Sequence, residues 1–184
     1  GAELSPNYPM VSGHGGQGGI SNAQAEQIIR QGGIIYPALP NGARFADFVE
    51  QIKPIWDASG TARPLAVGYG ADANGLRTLP GPRGAGSEPI EYPFTLFSGE
   101  GWGPQFAEAG IAPLQVDMLS IPGGKQWMMD EEGMSNYGLV ADIVEGIRLE
   151  GGEDAITALF NSAEAYLQLW EQTEAASANA RQQP

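Results

Sequence analysis

Leu65-Ala66-Val67-Gly68-Tyr69-Gly70-Ala71-Asp72-Ala73-Asn74-Gly75 is a short apolar run that ends in an acid and a glycine. Near-continuous apolar runs of this length mark strands covered on both faces of a parallel sheet. The run predicts a buried strand over 65–70 with Asp72 at its carboxyl end, where the chemistry of α/β architectures gathers. Asp72 is on this ground the first candidate functional residue. An aspartate in such a setting also serves turns, because its carboxylate bonds nearby backbone N–H groups, so a purely local role stays open.

Working back from this stretch, Gly33-Ile34-Ile35-Tyr36-Pro37-Ala38 reads as a second buried strand and Tyr8-Pro9-Met10-Val11-Ser12 as a third. Between them Ser21 and Gln24 have capping-box spacing, Ala25, Ile28 and Ile29 share one helical face, and Gly32-Gly33 ends the segment. Phe45, Phe48, Val49, Ile52, Ile55 and Trp56 recur at helical spacing, which predicts a helix disturbed near Pro54. Strand, helix, strand, helix, strand with short connections implies right-handed crossovers and a parallel sheet.

Working forward, residues 73–134 lose all periodicity and are rich in Gly and Pro, with Tyr92, Phe94, Phe97, Trp102, Phe106 and Trp127 scattered through them. A segment this long either covers a site or is pinned down by its own aromatic cluster. Order resumes with Leu139, Val140, Ile143, Val144 and Ile147 on one helical face. After Gly151-Gly152 a last helix uses Ile156, Leu159, Phe160, Ala163, Leu167 and Trp170, and the small polar residues beyond Ala175 predict a frayed tail over 176–184.

The 184 residues, 42% of them hydrophobic, suit one globular domain or part of one, and 27 Gly with 14 Pro demand much loop. Nine basic against 22 acidic residues give a net charge of -13, which repels phosphate backbones and excludes nucleic acid as the main partner. No run approaches the roughly 18 apolar residues of a membrane span. Gly1 to Pro6 lacks the charged and apolar regions of a secretory signal, so the chain reads as soluble, with secretion or a periplasmic location left open. Without cysteine there are neither disulfides nor thiolate metal sites.

Gly13-His14-Gly15-Gly16-Gln17-Gly18 fits the dinucleotide pattern G-x-G-x-x-G between a strand and a helix. The acid that would hold the ribose at the end of the next strand is missing, since Tyr36-Pro37-Ala38-Leu39 stands there. A nucleotide-binding α/β domain and a merely flexible loop are both compatible with these glycines. His14 is the chain's one histidine, and a catalytic zinc site needs about three protein ligands. An isolated loop histidine is often an ordinary polar residue. Its place at the carboxyl end of a strand, like that of Asp72, aims the two at a common mouth.

The motif Val67-Gly68-Tyr69-Gly70-Ala71-Asp72-Ala73-Asn74-Gly75 resembles the last barrel strand, V-G-x-G-x-D-x-[DN]-G, of the membrane dipeptidase-like branch of the amidohydrolase superfamily. Asn136-Tyr137-Gly138-Leu139 through Ile147-Arg148 resembles that group's post-barrel helix, and Leu159 to Leu167 with Trp170 its closing helix. Met10-Val11-Ser12-Gly13-His14 is similar to its sixth strand, so that the resemblance spans nearly the whole chain.

It implies an α/β chain forming the C-terminal part of a (β/α)8 barrel. Strands six to eight would lie in 1–72, a loop over the barrel mouth in 73–134 and two packing helices in 135–175. It further implies His14 as a ligand of a divalent metal, zinc in a binuclear centre, and Asp72 as the carrier of the attacking water's proton. Tyr69, Asn74 and Gly75 would be substrate or loop positions. The family's substrate-carboxylate arginine has no counterpart between His14 and Arg30, and its other metal ligands lie on earlier strands.

Three strands cannot close a barrel, so the resemblance implies a second polypeptide, or a missing N-terminal half, carrying the first five strands. A homo-oligomer is compatible with it. The implied activity is hydrolysis of an amide or peptide-like bond in a small substrate, and the alternative is a non-catalytic subunit that keeps the barrel fold.

Overall fold

The computed structural model describes residues 9–15, 20–37, 40–70 and 79–182, with the backbone alone at 13–15, 180 and 182. In chain order the elements begin with β1 (Val11–Gly15), α1 (Asn22–Arg30), β2 (Ile34–Pro37) and α2 (Gly42–Ser59). Next come β3 (Phe94–Leu96), α3 (Gln105–Glu108), β4 (Leu114–Val116), β5 (Leu119–Ser120), β6 (Gln126–Trp127) and α4 (Met129–Glu132). A 3-10 turn at Tyr137–Leu139 leads into α5 (Val140–Gln182). The protein is mixed α/β with small sheets, and the described residues form no closed barrel. No helix among them is long and apolar enough to cross a membrane.

Two compact units divide the chain: Gly1–Ala38 with Phe48–Gly70 and Ala158–Pro184, and Leu39–Asp47 with Ala71–Thr157. Helices α2 and α5 contribute residues to both.

In the first unit, Ser21 caps α1 through the anticipated box: its Oγ accepts from Gln24 N–H at 3.3 Å and its own N–H donates to Gln24 Oε1 at 2.9 Å. Ala25, Ile28 and Ile29 form the buried face. Helix α1 connects β1 to β2, which pair in parallel with Val11 opposite Ile34 and Ser12 opposite Ile35.

The third extended segment joins this sheet differently from the regular strand the sequence predicts over 65–70. Val67 forms a parallel bridge with Ile35, and Gly68 N–H donates to Ile35 O at 3.2 Å. The other backbone groups turn to α5: Val67 N–H donates to Ala158 O at 2.9 Å, and Asn161 Nδ2 donates to Leu65 O at 2.9 Å. A helix thus satisfies groups that a neighbouring strand would otherwise take.

Helix α2 has the expected proline inside it and continues beyond Pro54 to Ser59. Phe48, Val49, Ile52 and Trp56 are all buried on both sides of the proline. Burial of such side chains contributes about 1.5–3 kcal/mol each, enough to outweigh the roughly 3 kcal/mol that an interior proline costs. The chain leaving α2 is fixed by Arg63, whose guanidinium lies 5.1 Å from the Trp56 ring and donates to the carbonyls of Ile29, Gly32 and Gly33 at the end of α1.

In the second unit the aperiodic stretch carries its own small elements. Strands β3 and β4 pair antiparallel, with Phe94 opposite Val116 and Leu96 opposite Leu114. Phe97, Trp102 and Phe106 pack together at ring separations of 5.2–5.6 Å. The start of α2 crosses α5 through small residues: an ideal Cβ on Gly42 would stand 2.6 Å from Gly146 O, and one on Gly151 would stand 2.9 Å from Ala46 Cβ.

Within α5, Gly152 at φ 57° and ψ -153° breaks the helix where the glycine pair predicts a stop. Beyond that break α5 runs past Ala175 to Gln182, further than the composition of the tail suggests. Of its residues there, Ala176, Ala178, Ala180, Arg181 and Gln182 are good helix formers that continue the preceding turns.

Candidate functional site

The parallel order of β1, β2 and the Val67 segment sets their three carboxyl ends on one edge of the first unit's sheet. His14 is the penultimate residue of β1, and its side chain lies outside the described residues. Asp72 follows Gly70 by two positions in the sequence. Asp72, Asn74 and Gly75 also lie outside the described residues, as does most of the glycine loop between His14 and Ile20.

Tyr69 is described and half-buried, and burial pushes its hydroxyl up to about 12. The phenol therefore stays protonated at any physiological pH, a hydrogen-bond donor and not a base.

Next to it stands a residue to which the sequence reading assigns no role. The Tyr36 ring packs against the Val67 segment: a Cβ on Gly70 would overlap Tyr36 Cδ2 and Cε2, and one on Gly68 would meet Tyr36 Cβ at 3.4 Å. The alternate glycines of Gly68-Tyr69-Gly70 thus make a bare strip on one face of an extended segment, and the ring fills it. The signal was present in the sequence, since glycines two apart in a strand leave one face without side chains.

Among the described residues no group of three His, Cys, Asp or Glu side chains could hold a metal. His14 is the sole histidine, and by itself it supplies one of the three protein ligands that a catalytic zinc site needs.

The second unit contains a buried charge cluster that periodicity could not reveal. Arg83, whose side chain is 1% exposed, donates through Nε to Asp130 Oδ1 at 3.0 Å and through Nη2 to Asp130 Oδ2 at 3.0 Å. Its Nη1 donates to Glu150 Oε1 at 3.1 Å, and Nη2 also reaches the Glu88 carbonyl. Asp130 Oδ2 accepts in addition from Ile90 N–H at 2.7 Å. Every nitrogen of the guanidinium is engaged, so Arg83 ties loop 79–90 to α4 and α5 as a structural pin.

Beside it Tyr92 donates its hydroxyl to Asp142 Oδ1. Asp142 is buried, and the loss of water holds its carboxyl above the usual carboxylate range, against the stabilising hydrogen bond from Tyr92. Burial first, and the neighbouring Asp142 second, likewise push the Tyr92 hydroxyl well up.

Further along α5, Arg148 makes a two-pronged bridge to Glu145 at 2.9 and 2.7 Å and donates to Glu100 O at 2.9 Å. It borders a cleft of about 440 Å³ whose other walls include Glu88, Glu100, Leu149 and Glu153. The cleft is acidic, and its one arginine already has carboxylate and carbonyl partners.

Comparison of the chain with protein-family models, with curated proteins and with solved structures gave no match.

Proposed function

We propose that this chain is the C-terminal portion of a metal-dependent hydrolase that cleaves an amide or peptide-like bond, its (β/α)8 barrel and active site completed by an N-terminal half. The supporting observation is the parallel succession of β1, β2 and the Val67 segment, which sets the end of β1 that holds His14 and the end of the segment preceding Asp72 in the sequence on one side of the sheet. In this reading His14 is one ligand of a divalent centre whose remaining ligands sit on the N-terminal half. The metal, when bound, supplies Lewis acidity toward the scissile carbonyl and toward water.

The chain's own contribution to the chemistry is proton transfer. Asp72 accepts a proton from the attacking water as the C–O bond forms, and returns it to the nitrogen as the C–N bond breaks, giving a carboxylic acid and an amine. Tyr36 and the Gly68/Gly70 strip fix the segment that leads into Asp72. Tyr69, Asn74 and Gly75 shape the surroundings of the substrate.

The test is to isolate the native assembly and determine intact masses, metal content and hydrolysis of a panel of dipeptides and N-acyl amino acids. The expected result is an N-terminal half, as a second polypeptide or as further chain, together with stoichiometric divalent metal that His14→Ala releases. A metal-free chain of 184 residues that folds cooperatively alone and hydrolyses none of the panel would overturn the proposal.

A further inference from the structure

The C-terminal half of α5 is apolar on two opposite faces. Ala158 and Ala165 are buried on the inner one, where Ala158 O also accepts the Val67 N–H. On the outer one Tyr166, Leu167 and Trp170 are 50%, 57% and 57% exposed. A helix apolar on both sides needs two coverings, and only one is present among the described residues of the first unit.

The outer face has the spacing of a helix-pairing seam. Ala163, Leu167 and Trp170 follow one another at intervals of four and three, the alternation of d and a positions in a heptad. Tyr166, Leu169, Trp170, Thr173 and Glu174 border a shallow groove of about 200 Å³ along it, room for a few inserted side-chain atoms. Glu164 and Glu171, one heptad apart, both occupy the flanking e position, and Glu174 at the next a position ends the apolar seam. Between Ala158 and Ala180 there is no lysine or arginine at all.

That charge distribution selects the occupant. A second copy in antiparallel pairing would set Glu164 and Glu171 against their own equivalents, on a chain already carrying a net charge of -13. Helices that lie on lipid carry Lys and Arg on the polar border, and this one carries only acids there. We infer that the outer face of α5 docks an amphipathic helix of another protein, apolar along its seam and flanked by lysine or arginine opposite Glu164 and Glu171. The inference concerns α5 alone and goes beyond the hydrolase reading, on which it does not depend.

The experiment uses the full chain and three labelled 21-residue peptides. One has Leu at the a and d positions and Lys at e and g, the second replaces Lys by Glu, and the third is the Lys peptide scrambled. Fluorescence anisotropy should show saturable one-to-one binding of the Lys peptide, about tenfold or more tighter than either control.

Glu164→Lys with Glu171→Lys should invert the preference toward the Glu peptide, and Leu167→Ser with Trp170→Ser should weaken the Lys peptide by a similar factor. All four positions are exposed, and circular dichroism of each variant confirms that the fold is kept. Equal binding of ordered and scrambled Lys peptides, or binding indifferent to the Leu167 and Trp170 changes, overturns the inference. So does a shift of tryptophan fluorescence on phosphatidylcholine or phosphatidylglycerol vesicles without peptide discrimination. Sedimentation as a dimer that Leu167→Ser dissociates would assign the face to a second copy instead.

Discussion

The ring of Tyr36 stands where a side chain on residue 70 would be, so Gly70 and Tyr36 occupy one space between them. Gly70→Ala must push the ring aside, and overpacking of this kind costs about 1–3 kcal/mol. Tyr36→Ala vacates the space. The double variant should therefore be less destabilised than the two single effects added together, by more than the roughly 0.3–0.5 kcal/mol within which independent sites add. Urea unfolding of the four proteins measures this, and additive effects would show that the two residues do not interact.

Removing the pin of the second unit should be costly. In Arg83→Met the carboxylates of Asp130 and Glu150 lose their common cation, and breaking a buried charge pair from one side costs about 3–5 kcal/mol. Arg83→Lys restores the charge but not the fork that meets both oxygens of Asp130, and should fall between. A chemical-denaturation midpoint for Arg83→Met indistinguishable from that of the parent chain would refute the assignment.

Asp142 predicts a pH dependence of definite sign. Its carboxyl binds a proton more tightly folded than unfolded, because burial disfavours the charged form. Its contribution is thus fullest below the ordinary value of 3.8 and is lost as the pH climbs through the raised folded value. Asp142→Asn keeps an oxygen to accept from Tyr92 and has no proton to lose. Melting curves taken from pH 4 to pH 8 should show the wild type losing stability relative to the variant as the pH rises, and parallel curves would remove Asp142 from the account.

For Asp72 the proposed proton transfer gives a kinetic prediction. Asp72→Asn should lower kcat by about 10² to 10⁴, the usual scale of general acid-base loss, while leaving thermal stability nearly unchanged. Asparagine serves turns as well as aspartate does. A variant with full hydrolase activity would therefore reduce Asp72 to a local turn residue.

What the sequence revealed and what it hid follow from the range of the interactions. Helix α1 was readable because Ser21, Gln24, Ala25, Ile28 and Ile29 act within a few residues of one another, and the parallel pairing of β1 with β2 follows from the crossover between them. Pro54 is tolerated inside α2 because its cost is local while the burial of Phe48, Ile52 and Trp56 that offsets it is tertiary.

The segment 65–70 was assigned a regular strand because its apolar run says only that it is covered, not that a helix supplies its hydrogen-bond partners. Arg83 lies 47 residues from Asp130 and 67 from Glu150, separations that no periodicity encodes. Of the candidate site, the end of β1 at His14 is readable from local pattern and Tyr69 enters only through the family resemblance, whereas Tyr36 is hidden behind the glycines that accommodate it.

The bond from Asn161 to Leu65 spans 96 residues of chain, and it sets an order of events during synthesis. β1, α1 and β2 emerge early and can pair, but the groups that receive Leu65 O and Val67 N–H are translated only after the entire second unit. At about 5–20 residues per second, this segment waits roughly 5–20 s with those backbone groups bonded to solvent. The first unit is thus assembled from its two ends, its early strands completed by the last helix to be made. A ribosome stalled before residue 158 would present this segment with β2 beside it but with Leu65 O and Val67 N–H still lacking the helix that bonds them.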